Sequence, residues 1–78
     1  MNAYTDARAA LRRTGAKNAT GDALALCYAN AIHRSLALSE RACFEALRLK
    51  PDSEKLATVR KWKSDPFTFF DDLPEYAP

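Results

Sequence analysis

Between Thr20 and Lys50 the chain has no proline, and its one glycine there, Gly21, stands at the beginning. A run of this length without a backbone breaker, and with no long apolar–polar alternation, points to helix. The remaining breakers, Gly15, Pro51, Pro66, Pro74 and the last residue, Pro78, divide the rest of the chain into short segments. The pattern predicts an all-α fold: a compact small bundle of about four helices with a short C-terminal helical turn.

The first helix is expected from Ala3 to Thr14, with Tyr4, Ala7, Leu11 and Thr14 on one face and Gly15 as a left-handed C-cap. Residues 15–19 read as a polar loop. In the long run Leu24, Cys27, Tyr28, Ala31, Ile32 and Leu36 recur at helical spacing. Ala23 and Leu26 widen that stripe, so the helix should be buried on most sides. Thr20 or Asp22 is expected to cap it. Ser39 followed by Glu40 has the form of a fresh N-cap with an acid in the first turn. It divides the run into helices over 21–37 and 40–49, one continuous helix being the alternative. In the second piece Cys43, Ala46 and Leu47 face inward with Phe44 beside them, while Arg41, Glu45 and Arg48 face water.

Pro51 forces a stop, because the residue before a proline avoids the helical region. Asp52 or Ser53 can cap a helix over 53–63 whose apolar edge is Leu56, Val59 and Trp62. Asp65-Pro66 is a further cap-then-proline start. It opens a turn or two through Asp72, pairing Phe67 with Phe70 and Phe69 with Leu73.

Seventy-eight residues predict a single helical domain, 1–78, with an acidic-aromatic C-terminal segment, 64–78. A chain this short buries only about 60–65% of its unfolded surface, so each large apolar side chain counts. No apolar run approaches the roughly 20 residues of a membrane span. No signal peptide is recognisable, and the expected location is cytoplasmic. Cys27 and Cys43, each on an apolar helical face, read as buried free thiols rather than a bridge.

Chemistry is thinly represented. The one histidine, His33, is six residues from Cys27 and so on a different helical face. It reads as a partly buried residue capping a carbonyl. Two cysteines and one histidine without metal-ligand spacing fall short of a zinc set, and no glycine-rich phosphate loop exists. Asp71 and Asp72 are adjacent and diverge on a helix. The expectation is a protein that is not an enzyme and has no metal site or cofactor.

Charge is the most distinctive feature. Residues 1–63 carry twelve Lys and Arg against six Asp and Glu, a balance of +6; residues 64–78 carry four acids and no base, a balance of −4. The tail also holds a concentration of rings. In one reading Phe67, Phe70 and Trp62 close the bottom of the bundle, since an alanine-rich core needs large side chains somewhere. In a second, the tail is a ligand whose aromatic anchors are rimmed by charge, and the mixed form of these readings has some rings inward and Phe69 or Tyr76 outward. In a third, its carboxylates stand in for phosphates in a basic groove of another protein. The partner-binding candidates are Trp62, Phe69, Asp71, Asp72, Glu75 and Tyr76.

The stretch Thr58-Val59-Arg60-Lys61-Trp62 resembles the recognition helix of bacterial helix-turn-helix DNA-binding proteins. That resemblance implies that Lys55, Arg60, Lys61 and Lys63 meet phosphates, that Arg60 reaches a guanine edge, and that Arg41 to Leu49 forms the supporting helix. The connecting "LKPDSEK" is longer than the three or four residues of that motif's turn.

Two functional classes follow. The first is a non-enzymatic protein-binding inhibitor or adaptor of the phage or mobile-element type. It would block a host nucleic-acid-handling complex, such as a CRISPR or transcription complex. The second is a small DNA-binding regulator, a homodimer, using residues 55–63.

Overall fold

The computed structural model describes residues 2–73. The side chain of Asn2 accepts the Thr5 amide at 2.8 Å and starts α1, Ala3–Thr14. Gly15 ends it, its N–H reaching the Leu11 carbonyl at 2.8 Å. With φ 76° and ψ 161°, Gly15 lies outside the left-handed helical well, in a region open essentially to glycine alone. The expected polar loop holds a short 3₁₀ turn, Ala16–Asn18.

Helix α2 spans Gly21–Ile32, and its cap comes from elsewhere. Thr20 makes no side-chain capping bond; the Asp52 carboxylate accepts the Gly21 N–H at 2.9 and 3.2 Å. Regular helix stops at Ile32, five residues before the expected end. Residues 33–37 continue as a looser turn closed by Ala37 N–H to Arg34 O (3.1 Å) and Leu38 N–H to His33 O (3.0 Å). These are the two bonds of a Schellman motif, whose C′ residue must be left-handed. Ala37 holds that position at φ 57° although it is not glycine. The break between the two predicted helices is therefore real.

Helix α3, Glu40–Leu47, starts as expected, with Ser39 Oγ accepting the Ala42 N–H at 3.0 Å. After Pro51 comes α4, Asp52–Ser64. Asp65 then caps the Phe67 N–H at 3.2 Å and opens a C-terminal 3₁₀ helix, Pro66–Asp72.

Helix α2 is the hub, packing against α1, α3 and α4. Its innermost residues are Ala25 and Ala29, both fully buried, whereas Leu24, Cys27 and Tyr28 are only half-buried and Ala31 is exposed. The inward face is thus centred on small residues. Short side chains let neighbouring helices come close on several sides at once. Bulk comes instead from Phe44 and Leu47 of α3, Trp62 of α4 and Phe69 of the C-terminal helix, joined with Ala7, Leu26, Ile32, Cys43, Ala46 and Val59 in one core. On α4 the buried stripe is Lys55, Thr58, Val59 and Trp62. Leu56, expected on that edge, is exposed. The stripe keeps the i, i+3, i+4, i+7 spacing of a core-facing helix, with a lysine and a threonine in two of its places.

Candidate partner-binding surface

The C-terminal helix turns every three residues, so side chains at i and i+3 eclipse. That period sorts its rings into two rows. Phe69 and Asp72 share the inward row, and Phe69 is 2% exposed, edge-on to Trp62 at 4.9 Å between ring centroids. Phe67 and Phe70 share the outward row and are 79% and 62% exposed. This reverses the expected arrangement. Of the rings assigned to closing the bundle only Trp62 does so, and Phe69, assigned outward, completes the core.

Asp72 locks the helix in this rotation. Its Oδ2 accepts the Trp62 Nε1–H at 2.8 Å and the Lys61 ammonium at 2.8 Å, while its Oδ1 takes Lys50 at 2.9 Å. Burial alone would push the carboxyl up. The charged hydrogen bonds from Lys61 and Lys50, with that of Trp62, outweigh it and hold the pKa at about 2. The Thr68 hydroxyl adds a bond to the Asp65 carbonyl at 2.7 Å.

The expected partner contacts therefore divide. Trp62, Phe69 and Asp72 are interior and offer nothing to a partner in this conformation, a correction that follows from the 3₁₀ period and the Asp72 cluster. Asp71 is exposed. Glu75 and Tyr76 lie outside the described residues. Phe67 and Phe70, both visible in the sequence as an i, i+3 pair after a proline start, are the rings presented to solvent.

The expected nucleic-acid contacts divide too. Lys55 is 2% exposed, its ammonium held by the Lys50 carbonyl at 2.6 Å and by Asp52 at 2.7 Å. Asp52 thereby joins the start of α4 to the start of α2, and its carboxyl is lowered by the bonds from Lys55 and Gly21. Lys61 is engaged by Asp72, leaving Arg60 and Lys63 exposed without a carboxylate among the described residues. Helix α4 makes its main contacts with α2 and with the C-terminal helix. The α3–α4 connection, residues 48–51, is four residues long, shorter than the sequence suggested and within the three or four of a helix-turn-helix turn.

A second polar cluster ties α1, α2 and α3. Glu40 receives Arg8 at 3.0 Å, Asn30 Nδ2 at 2.7 Å and the Tyr4 hydroxyl. Burial would raise the Glu40 carboxyl, but the bonds from Tyr4, Asn30 and Arg8 hold it below its usual value, and the same bond raises Tyr4. A cleft of about 210 Å³ beside it is lined by Arg8, Leu11, Arg12, Leu26, Asn30 and Glu40. Its polar groups are largely spent on one another. His33 Nδ1 lies 3.0 Å from the Leu38 carbonyl, the structural role expected of it. Cys27 and Cys43 are free, half-buried and buried respectively, and burial pushes the Cys43 thiol up to about 11. Among the described residues no three His, Cys, Asp or Glu side chains group to hold a metal ion, and no helix is long and apolar enough to cross a membrane.

No family model matches this chain, and neither a curated protein nor a solved structure matches it.

Proposed function

We propose that this protein is a non-catalytic binding module, an inhibitor or adaptor, that covers part of a partner protein with its C-terminal aromatic tip. A single observation carries this: in a chain whose core is short of bulk, Phe67 and Phe70, one turn apart on the C-terminal helix, stand in solvent at 79% and 62% exposure. Their helix is rigidly seated by Asp72, Phe69 and Trp62, so the rings are presented in one orientation rather than left loose. Exposed aromatics on a preorganised support resemble the anchors that dominate protein interfaces. Covering both removes on the order of 250 Å² of apolar surface, about 6 kcal/mol of gross driving force. Association costs as much or more, so a partner must add contacts around the rings. A host nucleic-acid-handling complex, met by a phage or mobile-element protein, remains the partner class that the positive body and acidic tip suit.

The test is quantitative co-purification from the source organism of the wild type and of Phe67→Ser/Phe70→Ser. Exposed substitutions of this kind shift stability by about 0.5 kcal/mol or less. The expected result is loss of a specific partner by about tenfold or more at an unchanged unfolding midpoint. An unchanged set of partners overturns the proposal.

DNA binding through residues 55–63 has weaker support, since Lys55 is internal and Lys61 is paired. A gel shift that strengthens by orders of magnitude as salt is lowered fourfold would restore it.

A further inference from the structure

We propose that the partner surface taken by the tip is an apolar cleft rimmed by arginine or lysine, and that Asp65 and Asp71 are the residues that select it. This deepens the function proposed above and rests on it.

The charge on the page is arranged for that choice. Of the three carboxylates between residues 64 and 73, Asp72 is consumed internally by Lys50 and Lys61. Asp65 and Asp71 remain exposed and meet no cation within salt-bridge distance among the described residues. Both are sequence neighbours of the exposed rings: Asp65 is two residues before Phe67, and Asp71 directly follows Phe70. The outward tip is therefore two phenyl rings with two unpaired negative charges. The rest of the surface is predominantly positive, Asp6 and Glu54 being its exposed acids outside any ion pair among the described residues. Arg12, Arg13, Lys17, Arg34, Arg60 and Lys63 are all exposed and unpaired among the described residues.

This distribution does two things at a basic cleft. It attracts the tip, and it repels the faces that bear the unpaired arginines and lysines, so docking by those sides is disfavoured. An acidic partner would draw the arginine-bearing faces instead and leave the rings unused. Lys50 and Lys61 matter indirectly: by neutralising Asp72 they hold the rings outward, and the two remaining acids are the ones left for recognition.

The experiment places the photo-reactive analogue p-benzoylphenylalanine at Phe67 or at Phe70 in the full chain, expressed in the source organism. Cross-linked peptides are sequenced, with and without Asp65→Lys/Asp71→Lys, and at low and high salt. The expected product is a peptide from another protein in which the cross-linked residue lies in a segment rich in Arg and Lys. Its yield falls at least tenfold in the charge-reversed variant and also falls as salt rises. Asp65→Asn/Asp71→Asn should give an intermediate loss. Because Asp65 caps the C-terminal helix, Asp71→Lys alone is run beside the pair. Its yield must also fall, with circular dichroism unchanged.

Cross-linking only to a second copy of this chain, to an acidic segment, or to nothing overturns the inference. So does a yield indifferent to the charge reversals. If the Phe67→Ser/Phe70→Ser variant still loses its partner while the charge reversals do not matter, the binding function stands and the basic cleft falls.

Discussion

Replacing Asp72 by asparagine tests the joint on which the presentation of Phe67 and Phe70 depends. The side chain keeps its size and an oxygen for the Trp62 indole, but loses the charge that draws Lys50 and Lys61. The native carboxyl sits at about 2 against an ordinary 3.8. A depressed acid stabilises the fold fully above its unfolded value, and the contribution is lost as pH falls from about 4 through about 2. One pKa unit corresponds to about 1.4 kcal/mol, so the cluster contributes about 2–3 kcal/mol at neutral pH. A domain of this size has on the order of 5 kcal/mol in total. Asp72→Asn should therefore lower the thermal midpoint by about 10–20 °C at pH 7. Asp72→Ala should cost a further 1–3 kcal/mol or so, because the buried indole N–H is left without a partner. Urea unfolding followed by circular dichroism from pH 7 to pH 2 measures both. The gap between wild type and Asp72→Asn must shrink as pH falls from about 4, to a few tenths of a kcal/mol at about pH 2, where the native aspartate is half protonated. In the Asp72→Asn background, Lys61→Met should change little. A gap under 0.5 kcal/mol at pH 7, or one that stays constant down to pH 2, would refute the account of how the tip is seated.

Other substitutions probe the joints between helices. Ala37→Gly should stabilise the protein by about 1 kcal/mol in chemical denaturation, since a left-handed residue without a Cβ sheds a cost that alanine carries. Gly15→Ala should destabilise by about 1–3 kcal/mol through backbone strain alone, because no atom lies within 4 Å of the added Cβ. Tyr4→Phe should cost about 1 kcal/mol, Glu40 retaining Arg8 and Asn30. In native protein at pH 8, a thiol reagent should modify Cys27 in preference to Cys43, whose buried sulfur reacts at the rate of unfolding; equal rates would contradict its place in the core.

Helix boundaries were the most legible part of this protein. Gly15, Pro51 and the Asp65-Pro66 pair mark ends and starts that the structure keeps, and Ser39 caps α3 as its side chain suggests. Those signals are local, written in backbone conformations that a few adjacent residues allow or forbid. The site was less legible. The tail is negative and the body positive, but part of that difference is used inward. Asp72 closes on Lys50 and Lys61 from 22 and 11 residues away, and Lys55 disappears beneath Asp52. Nothing in the spacing of a lysine on an amphipathic helix distinguishes a solvated cation from one hydrogen-bonded to a carbonyl in the interior.

Composition and breaker placement by themselves determined that the chain is helical, roughly where each helix lies, and that large side chains would be scarce. Tertiary packing alone decided which rings are spent on the core. A change of period from 3.6 to 3.0 residues per turn, stabilised by one buried carboxylate with two lysines and an indole, sends Phe69 inward and leaves Phe67 and Phe70 in water. Such a choice depends on how distant groups meet, and helical periodicity read along a single segment does not contain it.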